Sequence, residues 1–362
     1  MNSKSKKIIF FTRYNNMSAS VRYRYLQYFN ILNKNNFTTE LSYLFDNSFF
    51  NNKIILNKIN IITILFSYIK RFFKLILIKN DTVVVVHLEL FPYFPSIGER
   101  ILNFKNIKIV IDLDDAIFHQ YTGLNNYFLR ILLKNKFKNI FNLKNSMITS
   151  GNEYNQKKAL ELNPKLKTKI FPTVVKVNNI NQQKFVKKNK FTIVWIGSPS
   201  TSVYLKKILA PLAILNSEYN INIRLIGAGH IDLPGVQFES YRWNEETEIK
   251  LISECHVGIM PLNNDDWSKG KCGFKLLQYM SCKLPCVASP VGVNSDIIEN
   301  NVNGFLVNSD NEWIKSILEL KNNHSLYKKF YELSFIKLNE YYSYESQKKR
   351  ILKYYDQFRI NN

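Results

Sequence analysis

The sequence predicts an α/β protein built from two doubly wound domains in series. Three observations predict it. The chain has 362 residues, which fits two domains of about 150–200 residues better than one core. Short Val- and Ile-rich runs alternate with helical stretches along the whole chain. Several of those runs are apolar without a break, as expected of parallel strands covered on both faces.

In the first half the expected strands are residues 7–12, 82–87, 107–112, 146–150 and 168–173. In the second half they are residues 191–196, 221–226, 236–239, 257–261 and 285–289. Residues 174–190 are polar, basic and without apolar periodicity, and read as a linker. The expected division is a first domain with its linker over 1–185, a second over 186–340 and a tail helix over 341–362. Ligands bind at the carboxyl ends of strands in such sheets, so the chemistry is sought on the loops that follow strands.

The composition is that of a folded chain, 46% hydrophobic and 22% charged. Lys and Arg number 50 against 28 Asp and Glu, a net charge of +22. Residues 1–185 hold 28 basic and 10 acidic side chains, net +18, and the remainder 22 and 18, net +4. The excess in the first half suggests an anionic partner: nucleic acid, an acidic membrane surface or a phosphorylated substrate. A Lys-, Asn- and Ile-rich composition throughout is a competing, compositional source of part of that charge. No aromatic-plus-basic RNA motif, zinc motif or helix-turn-helix pattern occurs, so nucleic acid is not the expected partner.

Cys255, Cys272, Cys282 and Cys286 form no CxxC pair, and reduced thiols in a cytoplasmic chain are expected. The first apolar run, residues 8–12, is too short for a signal peptide. Residues 54–78 are the most apolar segment but are broken by Lys58, Lys70, Arg71 and Lys74, so no membrane-spanning helix is expected there. On a helical wheel Leu65, Phe66, Ile69, Phe72, Phe73 and Ile76 share one side; Ser67, Lys70, Arg71 and Lys74 share the other. The apolar side is expected to pack on the core. The cationic side is expected to be solvated and open to acidic lipid.

Residues 191–196 run into Gly197-Ser-Pro-Ser-Thr-Ser202. Gly197 permits a tight turn, and Ser200, Thr201 or Ser202 can cap the next helix. Such a helix start suits phosphate, with Lys206 and Lys207 one turn further on; an ordinary capped helix is an equal reading. The next turn, Gly227-Ala-Gly229, has Asp232 where a third glycine would complete a dinucleotide fingerprint, which argues against a nicotinamide site. A polar Gly/Lys loop then leads to a helix expected over 274–281, with Lys269, Lys271 and Lys275 near its start. Cations there oppose the helix macrodipole unless an anion joins them.

In the first half Asp112, Asp114 and Asp115 close a strand and spell Asp-x-Asp. Asp114 and Asp115 read equally as helix caps or as cleft carboxylates. His87 and Glu89 follow another strand, and Arg22 and Arg24 follow the first; arginine binds phosphate bidentately. A solvated surface is the competing reading of the arginines. His119 reads as a surface histidine and His256 as structural.

The stretch GIMPL…GKCGFKLLQYMSCKLPCVASPVGVN, followed by IIENNVNGFLV, resembles the donor-binding half of GT-B glycosyltransferases of the retaining family 4, more narrowly its bacterial surface-polysaccharide and lipopolysaccharide members. The likeness covers residues 191–320. Thinner likeness lies in SVRYR at 20–24, VIDLDDAIF at 110–118, SGNEYNQKKA at 150–159 and the tail at 341–358.

The resemblance implies a GT-B fold, two Rossmann-like domains facing a cleft. It implies transfer, with retention, from a nucleotide-diphosphate sugar to a lipid-linked saccharide or lipid core. Nucleotide sugar, lipid-linked glycan and an acidic membrane surface are the implied partners, at the inner face of the cytoplasmic membrane, with no cofactor and no metal. The implied donor residues are Gly197, Ser198, Ser200, Thr201, Lys206, Tyr241, Trp243, Lys271, Gly273, Phe274, Lys275 and Gln278. Trp243 reads more readily as packing than as a stacking platform. Arg22, Arg24, His87 and Glu89 fall on the acceptor side, and Asp114 and Asp115 on the reacting carbon. The family's paired glutamates fall here on Gly270 and Gln278. That departure keeps open an inactive donor-binding subunit. A nucleic-acid-binding protein and a sugar-nucleotide epimerase are weaker alternatives.

Overall fold

The computed structural model describes residues 5–49, 52, 60–122, 124–177 and 189–359. Residues 54–59 of the apolar segment and 178–188 of the expected linker lie outside the described residues. The chain divides into two compact units: Met1–Thr173 with Gly270–Cys272 and Gln347–Asn362, and Val174–Lys269 with Gly273–Ser346.

The first unit holds six parallel strands: β1 Lys6–Tyr14, β2 Phe37–Phe45, β3 Val83–His87, β4 Lys108–Leu113, β5 Ser146–Ser150 and β6 Thr168–Ile170. Their order is β2-β1-β3-β4-β5-β6, so the order reverses between β1 and β3. The register sets Phe10 beside Val85, and His87 beside Asp112. Helices α1 (residues 19–34), α2 Ile61–Leu77, α3 Ile97–Phe104, α4 Tyr127–Leu133, α5 Lys136–Phe141 and α6 Glu153–Leu162 connect them. Buried Ile8, Phe11, Val84, Val86 and Ile111 form the centre of the sheet. From the terminal helix, Tyr355 packs 6.1 Å from Phe10 and 6.4 Å from Phe37, ring centre to ring centre, and Tyr354 lies 5.0 Å from Phe171.

The second unit repeats the plan with β7 Thr192–Ile196, β8 Asn222–Ile226, β9 Glu239–Tyr241, β10 Val257–Met260, β11 Cys286–Ala288 and β12 Gly304–Leu306. The order is β12-β11-β10-β7-β8-β9. Here the reversal falls between β7 and β10, and the loops after those strands flank the crevice where a doubly wound sheet binds its ligand. Its helices include α7 Pro199–Ser202, α8 Leu209–Ser217, α9 Glu248–Ser253, α10 Asp266–Lys269 and α11 Phe274–Ser281. Ile193, Trp195, Leu225, Val257, Val287 and Trp313 lie in one apolar core.

Most expected strands are present, with instructive differences. β2 was not among them: Phe37–Phe45 is an edge strand that mixes buried, half-buried and exposed residues and has no continuous apolar run. β12 is only three residues long. The strand expected over 236–239 lies at Glu239–Tyr241, and that expected to reach residue 173 stops at Ile170. Pro172 has no N–H to continue the ladder.

Helix α2 reverses the expected orientation. Arg71 is buried at 3% exposure, while Phe66 and Phe73 are 69% and 60% exposed. The Arg71 guanidinium donates to the carbonyls of Leu90 at 2.9 Å, Thr12 at 2.7 Å and Ser42 at 3.0 Å. Its fork lies over the Phe11 ring at 5.3 Å. Lys74 pairs with Glu40 on β2, which Lys7 also reaches at 2.7 Å. Strand-end carbonyls need donors once buried, so the polar side of α2 faces the sheet. Arg71 therefore leaves the set of cations open to acidic lipid.

Candidate functional site

In the second unit the site is built at the end of β7. The Gly197 N–H donates to the Ile226 carbonyl at 2.9 Å. Gly227 has φ +74°, and a Cβ built on it would lie 2.3 Å from the Gly197 carbonyl oxygen. Only glycine allows this backbone approach in the left-handed region. Beyond the turn Ser198 caps α7, with Ser198 and Thr201 forming a capping box; the capping residue is thus Ser198, not one of the three hydroxyls after it. The Ser198 and Ser200 hydroxyls are 2.9 Å apart.

Lys275 comes to this turn from the first turn of α11. Its Cε would lie 2.8 Å from a Cβ on Gly197, and its ammonium sits 5.0 Å from the Trp195 ring centre. Gly273 starts α11 in the left-handed conformation, φ +65°. A β-strand turn, a helix start and a lysine therefore meet at one corner, the chemistry expected to attract phosphate. Lys206 is exposed on a 3₁₀ turn, and its neighbour Lys207 donates to the Leu262 carbonyl at 2.8 Å. Phe274 is half-buried beside Gly273.

Gln278 lies on the buried side of α11, and its amide donates to Glu248 Oε2 at 3.4 Å. The same oxygen accepts the Trp243 indole N–H at 2.6 Å. Glu248 is buried on α9 and was missed in the sequence, where nothing marks Glu248 apart from the charged residues around it. Tyr241 is occupied elsewhere: its hydroxyl donates to Glu239 at 3.2 Å, and Arg224 lies over its ring at 5.0 Å.

Residues 270–272 belong with the first unit. The Gly270 carbonyl accepts from the Asn152 amide at 2.8 Å and the Asn155 amide at 2.9 Å. A Cβ on Gly270 would sit 2.4 Å from the Ala116 Cβ. This position holds no side chain, which is a physical reason for the absent glutamate. The Lys271 carbonyl accepts from Asn152 at 3.1 Å, and the Cys272 thiol donates to the Asp114 carbonyl at 2.8 Å. Burial pushes the Cys272 thiol far above its usual range.

In the first unit β3 and β4 bring His87 and Asp114 together. His87 Nε2 lies 2.8 Å from Asp114 Oδ1, and both side chains are buried. His87 Nδ1 has no hydrogen-bond partner. Burial by itself would lower the His87 pKa, but the Asp114 carboxylate raises it above its ordinary value. Burial tends to raise Asp114, and His87, Arg24 and the Ser20 hydroxyl together hold it well below the usual carboxylate range. The helix-cap reading of Asp114 does not hold: the short 3₁₀ helix Ile117–Tyr121 begins at Ala116 with no side-chain cap. Asp115 is half-buried, and its carbonyl accepts the Ile117 N–H at 2.9 Å.

The arginines are placed otherwise than a phosphate clamp requires. Arg24 forks onto Asp112 with both contacts at 2.6 Å, and also reaches Phe171 O at 3.1 Å and Thr173 Oγ1 at 3.0 Å. Tyr25 and Thr149 complete the Asp112 shell at 2.6 and 2.7 Å. One π-turn at Arg22–Leu26 brings Arg24 and Tyr25 to the same carboxylate. Arg22 donates to the carbonyls of Asn16 at 2.8 Å and Met17 at 3.1 Å. Glu89 is likewise enclosed, accepting from Arg13 at 2.9 Å, Tyr121 at 2.7 Å and Lys136. These distant partners are invisible in the sequence because the sheet, not chain proximity, brings them together. Among the described residues no group of three or more His, Cys, Asp or Glu side chains is placed to hold a metal ion.

Two parallel six-stranded α/β units, the second with Lys275 and two glycine turns at its switch point, share the GT-B architecture of glycosyltransferases. Residues 187–323 are similar to the family model described as Glycosyl transferases group 1, a stretch that falls largely in the second unit. The fold resembles HepE of Anabaena in complex with UDP-glucose, at 13% identity and TM-score 0.67 over 97% of this chain and 99% of that one. It also resembles sucrose-phosphate synthase of Thermosynechococcus elongatus, at 11% identity and TM-score 0.69 over 97% and 98%. S. aureus TarM in complex with UDP and α-GlcNAc-glycerol gives 18% identity and TM-score 0.56, covering 82% of this chain and 59% of TarM. This chain thus spans about three-fifths of the TarM length. No curated protein sequence matches it.

Proposed function

We propose that the protein is a retaining glycosyltransferase that moves a sugar from a nucleotide-diphosphate donor to a lipid-linked saccharide or lipid core. The setting is bacterial surface-polysaccharide synthesis (O-antigen, capsule or lipopolysaccharide) at the inner face of the cytoplasmic membrane. The observation that carries this reading is Lys275 at the Gly197 turn, inside the segment that matches the family model. The second unit takes the donor. Lys275 and the start of α11 stabilise the leaving diphosphate, where negative charge grows in the transition state. Gln278, its amide held by Glu248, keeps a carbonyl oxygen to accept from a hydroxyl of the nucleotide sugar. Lys271 adds positive charge beside α11, and the backbone of Gly197 and Ser198 permits close approach of the donor.

In the first unit Asp114, paired with His87, supplies fixed negative charge for an oxocarbenium-like sugar carbon. His87 fixes the orientation of that carboxylate through the 2.8 Å contact, and Asp115 lies next to this pair. The test is turnover of a panel of nucleotide-diphosphate sugars with a lipid-linked acceptor, with product anomers read by NMR. Transfer with retention supports the reading, and transfer with inversion overturns its stereochemistry. A second reading, a donor-binding subunit without activity, is favoured by Gly270, which leaves no carboxylate at that position. Diphosphate binding without turnover would select it.

A further inference from the structure

We propose that the outer face of α2 lies in the headgroup layer of an acidic bilayer and holds the first unit there. This deepens the proposed function by naming the surface that meets the membrane, and it rests on that reading only for the purpose of the docking. The observation is the inversion of α2. Its polar residues Arg71 and Lys74 are taken up by the sheet, so its apolar residues face outward. Ile62, Leu65, Phe66, Ile69, Phe73 and Leu77 are all exposed, from 42% to 80%. Contiguous apolar patches of this kind mark interaction surfaces.

The face continues beyond α2. The Tyr68 ring lies 6.5 Å from Phe94, and Tyr93 lies 5.8 Å from Tyr121; Tyr93, Phe94 and Ile97 are exposed. Lys105 ties the end of α3 to α2 by donating to the Ile78 carbonyl at 2.6 Å. Tyrosine and phenylalanine beside aliphatic side chains suit the boundary between headgroups and acyl chains. Among the described residues no helix is long and apolar enough to cross a membrane, so this helix lies on a bilayer rather than through it.

Charge selects the occupant. On α2, the segment after it and α3, which packs on α2, the exposed basic side chains are Lys70, Lys79 and Arg100. The one exposed acidic side chain among the described residues of that stretch is Asp81; Glu89 and Glu99 are buried. A second copy meeting this surface would bring like charge against like. An anionic lipid surface complements it.

The experiment is flotation of the full chain with phosphatidylcholine vesicles, with and without phosphatidylglycerol, across salt. The parent is expected to float with anionic vesicles at low salt. The triple variant Phe66→Gln, Ile69→Gln and Phe73→Gln is expected to lose binding by more than about tenfold while keeping its thermal midpoint, because those side chains are outside the core. Lys70→Gln with Lys79→Gln is expected to weaken binding to anionic vesicles and reduce its salt dependence. Absence of vesicle binding by the parent at low salt, or equal binding by the triple variant, overturns the proposal. A parent dimer that the triple variant dissociates, seen by sedimentation velocity without vesicle binding, assigns the face to a second copy and also overturns it. Calorimetric titration with nucleoside diphosphates in vesicle-free solution separates the two readings. Diphosphate binding without flotation overturns the membrane surface alone, and flotation without diphosphate binding overturns the donor site alone.

Discussion

His87 Nε2 lies 2.8 Å from the Asp114 carboxylate, both groups buried at the ends of adjacent strands β3 and β4. The pairing has a pH signature. The folded pKa of His87 is raised, so its stabilisation is fully present below the unfolded value near 6.5 and is lost as pH rises through the folded value. Asp114 is lowered, so its part is present above the unfolded value near 3.8 and is lost as pH falls through the folded value. Asp114→Asn should therefore cost most between those two unfolded values, on the order of 3–5 kcal/mol for breaking a buried pair. It should also lower the His87 pKa, since burial is then opposed only by the more weakly acting Asp112. Urea unfolding across pH and an NMR titration of His87 check both. An unchanged His87 titration in the variant would remove the pair from the account.

Lys275 and Lys283 sit at opposite ends of α11, and only the first lies at the Gly197 turn. Lys283 follows the helix with φ +56° and lies over the Phe335 ring at 5.1 Å. Lys275→Ala should weaken nucleoside diphosphate binding by about 1.5–3 kcal/mol, the usual worth of a hydrogen bond to a charged group. Lys283→Ala should leave binding alone. Isothermal titration of both variants decides; equal affinities would reject Lys275 as the phosphate ligand.

The continuous Val/Ile runs of β3 and β4 and the periodicity of 274–281 made much of both units legible, because buried parallel strands and a core helix write themselves as local pattern. β2 was lost because polar Thr38, Thr39, Glu40 and Ser42 interrupt its apolar residues. Lys275 could be read from its place at a helix start, but Glu248 could not. Its significance is that Trp243 and Gln278 converge on it, and only packing creates that convergence. The arginines failed differently. Arg24 follows a strand, as a ligand-binding arginine would, yet its partner Asp112 is 88 residues away and carries no local sign of the pairing.

Gly270 stands where the resemblance places a glutamate, and restoring it should do harm. A Cβ there would approach Ala116 Cβ at 2.4 Å and the Ala116 backbone nitrogen at 2.9 Å. Gly270→Glu should lower stability by about 1–3 kcal/mol through overpacking and should not raise transfer. Thermal unfolding and turnover test it. A variant at least as stable and more active than the parent would show that the loop accepts the carboxylate.

Arg71 gives the last prediction, since the wheel and the fold place it on different sides of α2. Three carbonyls accept from it, and burial brings its pKa down to about 9. Removing the guanidinium leaves buried carbonyls without donors at roughly 1–3 kcal/mol each, partly offset by water entry. Arg71→Ala should thus destabilise by several kcal/mol, whereas Lys70→Ala, exposed on the same helix, should change stability by less than about 0.5 kcal/mol. Denaturant unfolding at pH 7 compares the two variants. Equal stability of the two variants would return Arg71 to the surface and restore it to the cations that meet lipid.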